Sequence, residues 1–434
     1  MKDKAKLINM AKNCVIVLLF ISAVFLLFKA VVNGQESVFE SLSNLFSGNS
    51  GASTSNLPDS EISGNAAFPV FLLTTTEDGS HYAVKYDSQS KDKLISQFTT
   101  YLGEALGSSG NLKEISVEQW QQALSGSGVF FDYLYPQPLS AIASWLGYDI
   151  TGEVSSKTAR RLFLGNDDGN MTLYFISEGD GKIFSCETAR DFSSLSPKIA
   201  DCPIGTANFA FELGVEYANL DPYFIFSHES GTLSAVTVSN PVRDNSFDSS
   251  NLLPFFGMNQ QTVSEYTETD GSQVYVDGEK TLRVEASGAV IFSVTGNNGL
   301  YLSSNSGALS IIDSISSCYE IVKNSIGLTS GDASLGLVGV TSAASPSSCS
   351  VNFGYYVDGL PVTLPRGGFA ASFDISGGAI IRAELSYRKY VSSGGTLMAL
   401  PEKQASVIAE AKGGEPVLTY EDKSDSVDCT WIIN

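Results

Sequence analysis

Three Ser-x-x-Lys spacings are the residues in this chain most readily imagined doing chemistry: Ser88–Lys91, Ser90–Lys93 and Ser386–Lys389. A serine nucleophile with a lysine base needs the serine at a protected helix N-terminus. The first two lie on a polar helix face. The third lies in a strand, where positions three apart point to opposite faces. None is expected to act as a nucleophile–base pair. "NDDGN" at Asn166–Asn170 resembles a calcium loop, but it lacks the closing glutamate, and a hairpin turn is the better reading. No GxSxG, HExxH, P-loop or helix-opening GxGxxG is present. With only His81 and His228 and no CxxC, no zinc-site spacing exists. The expectation is no catalytic, cofactor-binding or metal-ligating residues, no cofactor, and a chain that is not an enzyme.

Cys186, Cys202, Cys318, Cys349 and Cys429 are expected outside the cell, where disulfides can persist. Five is odd, so at least one stays unpaired or pairs between chains. Cys186 and Cys202 bracket one short loop and are the best candidate pair; five buried free thiols is the alternative. Asn170-Met171-Thr172 fits a glycosylation sequon, without further support. Phe130, Phe131, Tyr133 and Tyr135 beside Pro136 and Pro138 could line a peptide groove, but core packing is the preferred reading.

The elements that would position such groups begin with a membrane anchor. From Cys14 to Phe28 the only polar side chain is Ser22. Residues 13–32 make about 30 Å of helix, which matches a bilayer core. Lys2, Lys4, Lys6 and Lys12 precede this run, so residues 1–12 are expected in the cytoplasm and everything after Val32 outside. The other possibility is a cleaved signal peptide, but no small-x-small site ends the run. Cys14 falls within the anchor. Residues 33–64 read as a Gly/Ser/Asn-rich linker.

The formal net charge of −21 argues against nucleic acid and against anionic lipid as partners. With 43% hydrophobic and 17% charged residues, the external part is a folding sequence. Residues 65–250 read as an α+β region, possibly split near 150. "FPVFLLTTT" and "YAVKYD" pair across Asp78-Gly79. A helix follows with Leu94, Ile95, Phe98, Tyr101, Leu102, Ala105 and Leu106 at helical spacing, closed by Gly107. Ser116 and Gln119 make a capping box for a second helix. Residues 160–188 read as three strands joined by two Asp-Gly turns. The composition turns polar near Ser239–Ser250, and the main boundary is placed there.

"VYVDG" at Val274–Gly278 returns as "YYVDG" at Tyr355–Gly359, and each copy is followed by strands around a Ser-Gly turn and then by a helix. The expectation is a tandem duplication over residues 251–341 and 342–434, each an antiparallel sheet with a helix on one face.

"ISVEQWQQALSGSGVFFDYLYPQPLSAIASWLG" resembles the N-terminal external region of YycH, and "VSEYTETDGSQVYVDGEKTLRVEASGAVIFS" and "FGYYVDGLPVTLPRGG" resemble YycI. "PVLTYEDKSDSVDCTWIIN" is similar to that family's C-terminal strand pair. The chain is therefore similar to the YycH/YycI family of membrane-anchored accessory proteins of low-GC Gram-positive bacteria. The resemblance implies a YycH-like region at 65–250, YycI-like units after it, and no catalytic residues. It also implies a WalK (YycG)-type sensor histidine kinase, and a sister YycH/YycI protein, as partners in signal transduction that controls the cell wall. An extracellular module binding wall fragments or peptides is the alternative.

Overall fold

The structure, a computed structural model, describes residues 68–85, 88–227, 233–244, 247–296, 299–302, 309–345, 348–365 and 367–433. The expected tail (1–12), anchor (13–32) and linker (33–64) lie outside the described residues. Among the described residues no helix is long and apolar enough to cross a membrane. The described residues belong to one compact unit.

The first layer comprises β1 (Phe71–Thr75), β2 (His81–Val84), α1 (Ser88–Gly107), β3 (Leu112–Ile115), α2 (Val117–Leu124), β4 (Gly128–Pro138), α3 (Leu139–Trp145), β5 (Thr158–Asp167), β6 (Asn170–Ser177), β7 (Ile183–Asp191) and α4 (Ser196–Ala200). Its seven strands run in the order β2-β1-β4-β5-β6-β7-β3, with antiparallel neighbours throughout. Side chains alternate along a strand, and here both sets are apolar. Leu72, Val129, Phe131, Leu162, Leu164 and Phe175 pack with Phe98 and Leu102 of α1 and Ile142 of α3. Leu73, Phe130, Phe163 and Tyr174 pack instead with Trp120 and Leu124 of α2. Helices therefore cover both faces of this sheet, not the single face expected. The physical reason is the unbroken apolar runs of β4 and β5, which bury both sides of the pleat.

Local signals hold where they were strongest. The Gln119 N–H donates to Ser116 Oγ at 3.3 Å and the Ser116 N–H donates to Gln119 Oε1 at 2.9 Å, closing the capping box. Asp168 (φ 49°) and Gly169 (φ 90°) form the β5–β6 turn with two left-handed residues, as a primed hairpin turn requires. The Gly169 N–H donates to Asn166 Oδ1, so "NDDGN" is a turn.

β8 (Asn208–Phe209) and β9 (Ile225–Phe226) form a two-stranded sheet whose Phe209 and Ile225 pack with Trp120 and Phe130 of the first layer. The second layer follows: β10 (Leu233–Ser239), β11 (Ser264–Thr267), β12 (Gln273–Asp277), β13 (Lys280–Val284), β14 (Ala289–Val294), β15 (Leu300–Tyr301), α5 (Ile311–Asn324), β16 (Ser334–Ser345), β17 (Ser348–Val357), β18 (Leu360–Thr363), β19 (Ala371–Ser376), β20 (Ala379–Ser386), β21 (Lys389–Leu397), α6 (Glu402–Lys412), β22 (Pro416–Asp422) and β23 (Val427–Ile433). One meander is β11-β12-β13-β14. The other is β16-β17, then β18 and β19 end to end along β17, then β20. β18 covers Tyr356–Val357 and β19 covers Cys349–Phe353. The two are not copies in strand order: β13, after Asp277-Gly278, lies between β12 and β14, whereas β18, after Asp358-Gly359, lies between β17 and β22.

The two meanders do not form separate sheets. β14 pairs with β20, Phe292 opposite Ala383, and one core runs through both. The boundary expected at 341/342 falls inside β16, because that strand is the outer partner of β17. The boundary expected near 250 is also displaced. Leu233 and Val236 of β10 are buried in the second core, and β10 pairs with β21. The sheet is not wholly antiparallel either, since β18 and β22 pair in parallel. α5 packs on β17 and on α3 of the first layer, while α6 packs on β22 and β23.

Candidate functional site

The densest polar cluster lies where the two layers meet. Arg160 and Arg161 are consecutive on β5 and in a regular strand would face opposite ways. Here both reach Asp132 of β4. The pairing of β4 with β5 shifts register between Asp132 and Gln137, and that of β5 with β6 between Ala159 and Leu162. Leu134 sits at φ 67° within the first irregularity, its N–H donating to Asp132 Oδ1 at 2.7 Å. Such bulges re-aim side chains.

Arg160 makes a two-pronged contact with Asp132, Nε to Oδ1 at 2.7 Å and Nη2 to Oδ2 at 2.9 Å. Its Nη1 lies 2.7 Å from Glu415 Oε2 in the second layer. Arg161 reaches Asp132 through Nε at 3.1 Å, Asp221 through Nη1 at 2.9 Å and Glu415 through Nη2 at 3.2 Å. Asp132, Arg161 and Glu415 are each about 5% exposed or less. Burial pushes the Asp132 carboxyl upward, but the Arg160 and Arg161 guanidiniums and the Leu134 N–H outweigh it and hold the group below the usual carboxylate range. Asp132, Glu415 and Asp221 are each engaged by a guanidinium, so the junction binds the layers together.

Two further contacts cross or brace the same region. Buried Lys85 donates to the Ile225 carbonyl and pairs with Glu402 at the start of α6 at 2.6 Å. His81 is held between Thr75 Oγ1 at 2.8 Å and Glu212 Oε1 at 3.0 Å. That order of hydroxyl, imidazole and carboxylate has the form of a hydrolytic triad. Thr75 is fully buried, however, and its hydroxyl also bonds the Leu124 carbonyl, so no substrate can reach it.

The remaining residues with chemical potential are placed as follows. Ser88 and Ser90 lie in the first turn of α1, and Lys93 is exposed. Ser386 ends β20 and donates to the Phe369 carbonyl, so it is not poised against Lys389. Phe130, Phe131 and Tyr133 are core residues, and Tyr135 packs at its edge. Asn170 is exposed and Thr172 is buried. His228 lies outside the described residues. The Cys186–Cys202 bond is not formed: Cys186 Sγ donates to the Gly110 carbonyl and Cys202 Sγ to the Lys198 carbonyl. Cys318, Cys349 and Cys429 form no disulfide either. Burial raises all five thiols, Cys429 to about 11, the opposite of what a nucleophilic cysteine needs. Among the described residues no three His, Cys, Asp or Glu side chains converge as metal ligands.

The junction carries no motif. Its trace in the sequence is charge inside apolar strands: Asp132 within "VFFDYLY" and Arg160-Arg161 within "TARRLFLG". A buried charge needs a partner, so each stretch announces one without saying where it lies.

A polar cleft of about 810 Å³ opens at the other end of the second layer, where the Ser287-Gly288 turn, the end of β20, the 238–244 segment and Leu364, Pro365, Gly367 and Gly368 converge.

No protein-family model matches the chain, and no curated protein does. Among solved structures it is similar to the crystal structure of YycH from Bacillus subtilis, with a TM-score of 0.52 and 11% identity over 86% of this chain and 95% of that chain. That coverage must extend past residue 250 of 434, so the likeness to YycH includes the part whose sequence pattern resembles YycI. At this level of identity the similarity is one of architecture: the chain has a YycH-like α+β fold.

Proposed function

We propose that this chain is a non-enzymatic, membrane-anchored regulator, single-pass with its N-terminus in the cytoplasm. It modulates a WalK (YycG)-type sensor histidine kinase, and through it cell-wall metabolism, by contact from outside the cell. The observation that supports this reading is the YycH-like fold over almost the full length of YycH. The apolar run at 13–32 and the absence of a catalytic motif in the sequence agree with it. A protein whose bulk lies outside can act on a cytoplasmic kinase domain only by favouring one conformation of the membrane-spanning partner. The cleft favours a second reading, an extracellular binding module.

The first reading is tested by crosslinking intact membranes and purifying the chain under denaturing conditions. The expected result is specific recovery of the sensor kinase, together with a sister YycH/YycI protein where the cell has one. Recovery of the kinase no greater than that of an unrelated single-pass protein would contradict it.

A further inference from the structure

We infer that the cleft between the Ser287-Gly288 turn and β20 binds a short peptide with a free carboxylate and a free ammonium group. The first argument is charge. The chain as a whole has 47 acidic residues against 26 basic ones. Among the described residues the cleft is lined by Arg243, Arg382 and Arg388 against Asp244, Glu285, Glu384 and Asp425, three to four and close to balance. An anionic group is repelled less here than over the rest of this acidic surface, and a cationic group still finds a partner.

The second argument is preorganisation. Arg388 is only 13% exposed, and its Nε is clamped 3.1 Å from Asp422 Oδ2. Asp422 is itself held by the Tyr390 hydroxyl at 2.9 Å and the Ser424 N–H at 2.6 Å. Among the described residues Arg388 makes no other ion pair, which leaves its terminal nitrogens as a fixed fork for a carboxylate. Asn240, 7% exposed, ties one rim to the other. Its Nδ2 donates to the Ala286 carbonyl at 3.0 Å, and its Oδ1 accepts from the N–H groups of Val242 and Arg243. Gly288 lies at φ +92°, and a Cβ there would sit 2.8 Å from the Tyr387 carbonyl oxygen, so the turn packs directly on the end of β20.

The third argument is what the walls lack. Among the described lining residues the one aromatic, Tyr387, is fully buried, so the lining itself presents no ring for a nucleobase to stack on. The apolar lining comes instead from Val238, Ile291, Leu364 and Pro365, suited to small aliphatic side chains. In the pose we infer, the peptide's carboxylate meets Arg388 and draws Arg382 from its exposed pair with Glu384 at 3.4 Å, and its ammonium meets Asp244 and Asp425, the latter 4.0 Å from the exposed Arg243.

This inference goes beyond the regulator reading and does not rest on it, since binding is measured without the kinase. The test is isothermal titration of the full-length chain in mild detergent with Ala-Ala-Ala bearing free termini. The expected dissociation constant is ~1 mM or tighter. Affinity should fall about tenfold or more, some 1.4 kcal/mol, for N-acetyl-trialanine amide and for Arg388→Lys, which keeps the charge but loses the fork. Arg382→Ala, at an exposed position, should also weaken binding without changing the melting temperature. No binding up to ~10 mM, a thousandth of the 1 M standard-state affinity scale times ten, overturns the inference. So does equal binding of the capped peptide, equal binding by both variants, or inorganic phosphate binding as tightly as the peptide.

Discussion

Replacing Asp132 with alanine is expected to destabilise the fold by about 3–5 kcal/mol at neutral pH, the usual effect of removing one partner from a buried ion cluster. Asp132 is 1% exposed and is the carboxylate that both Arg160 and Arg161 reach from β5. Without it two adjacent guanidiniums share Glu415 and Asp221 alone, and the Leu134 N–H at φ 67° loses its acceptor. The pH dependence has a definite sign. The folded-state pKa of Asp132 is depressed, so its contribution is fully present above the unfolded value of about 3.9 and is lost as pH falls through the folded value. The gap between wild type and Asp132→Ala should therefore be constant near neutrality and narrow only in acid. Urea titrations of the solubilised chain at pH 7 and pH 3 measure it. A loss under about 1 kcal/mol at pH 7, the value of an exposed pair, would show that the junction is not a buried cluster in solution.

Trp120→Ala should cost a comparable amount, about 3–5 kcal/mol, for an apolar reason. Trp120 of α2 is fully buried on the face of the first sheet opposite α1. Its ring lies 6.2 Å from that of Phe163 at 87° and 6.0 Å from that of Tyr223 at 74°, both edge-to-face. Phe130 and Tyr174 complete the surround. α2 has eight residues, too few to be stable alone, so it is held by this one anchor and Leu124. Circular dichroism through a urea titration should show the midpoint fall with the slope unchanged. An unchanged midpoint would mean that α2 does not cover that face.

The elements with local signals are legible in the sequence. α1 has its apolar stripe, α2 its capping box, and β5, β6 and β7 their Asp-Gly turns, because each rests on residues within a few positions of one another. What was not legible depends on distant partners. Arg160 meets Glu415, 255 residues away, only because bulges turn two neighbouring side chains the same way, and Leu134 adopts a positive φ with no glycine to announce it. The helix on the second face of the first sheet had a readable sign in the continuous apolar runs "VFF" and "LFL" of β4 and β5. The repeated "YVDG" correctly marked two hairpins, but a repeat does not say whether its copies pair with each other. Here β14 and β20 join them into one sheet. The cleft escaped for the same reason: Asn240, Gly288 and Arg388 are far apart in the chain and meet only when that sheet closes.

We propose above that this chain acts by contact on a sensor histidine kinase. The most direct measurement is transcript output of the kinase's target genes in cells lacking the chain, compared with the same cells carrying the intact chain in trans. The account predicts a clear shift in output on deletion, in either direction, reversed by the intact chain. Output that is the same with and without the chain, under growth conditions where the kinase itself is active, would contradict it.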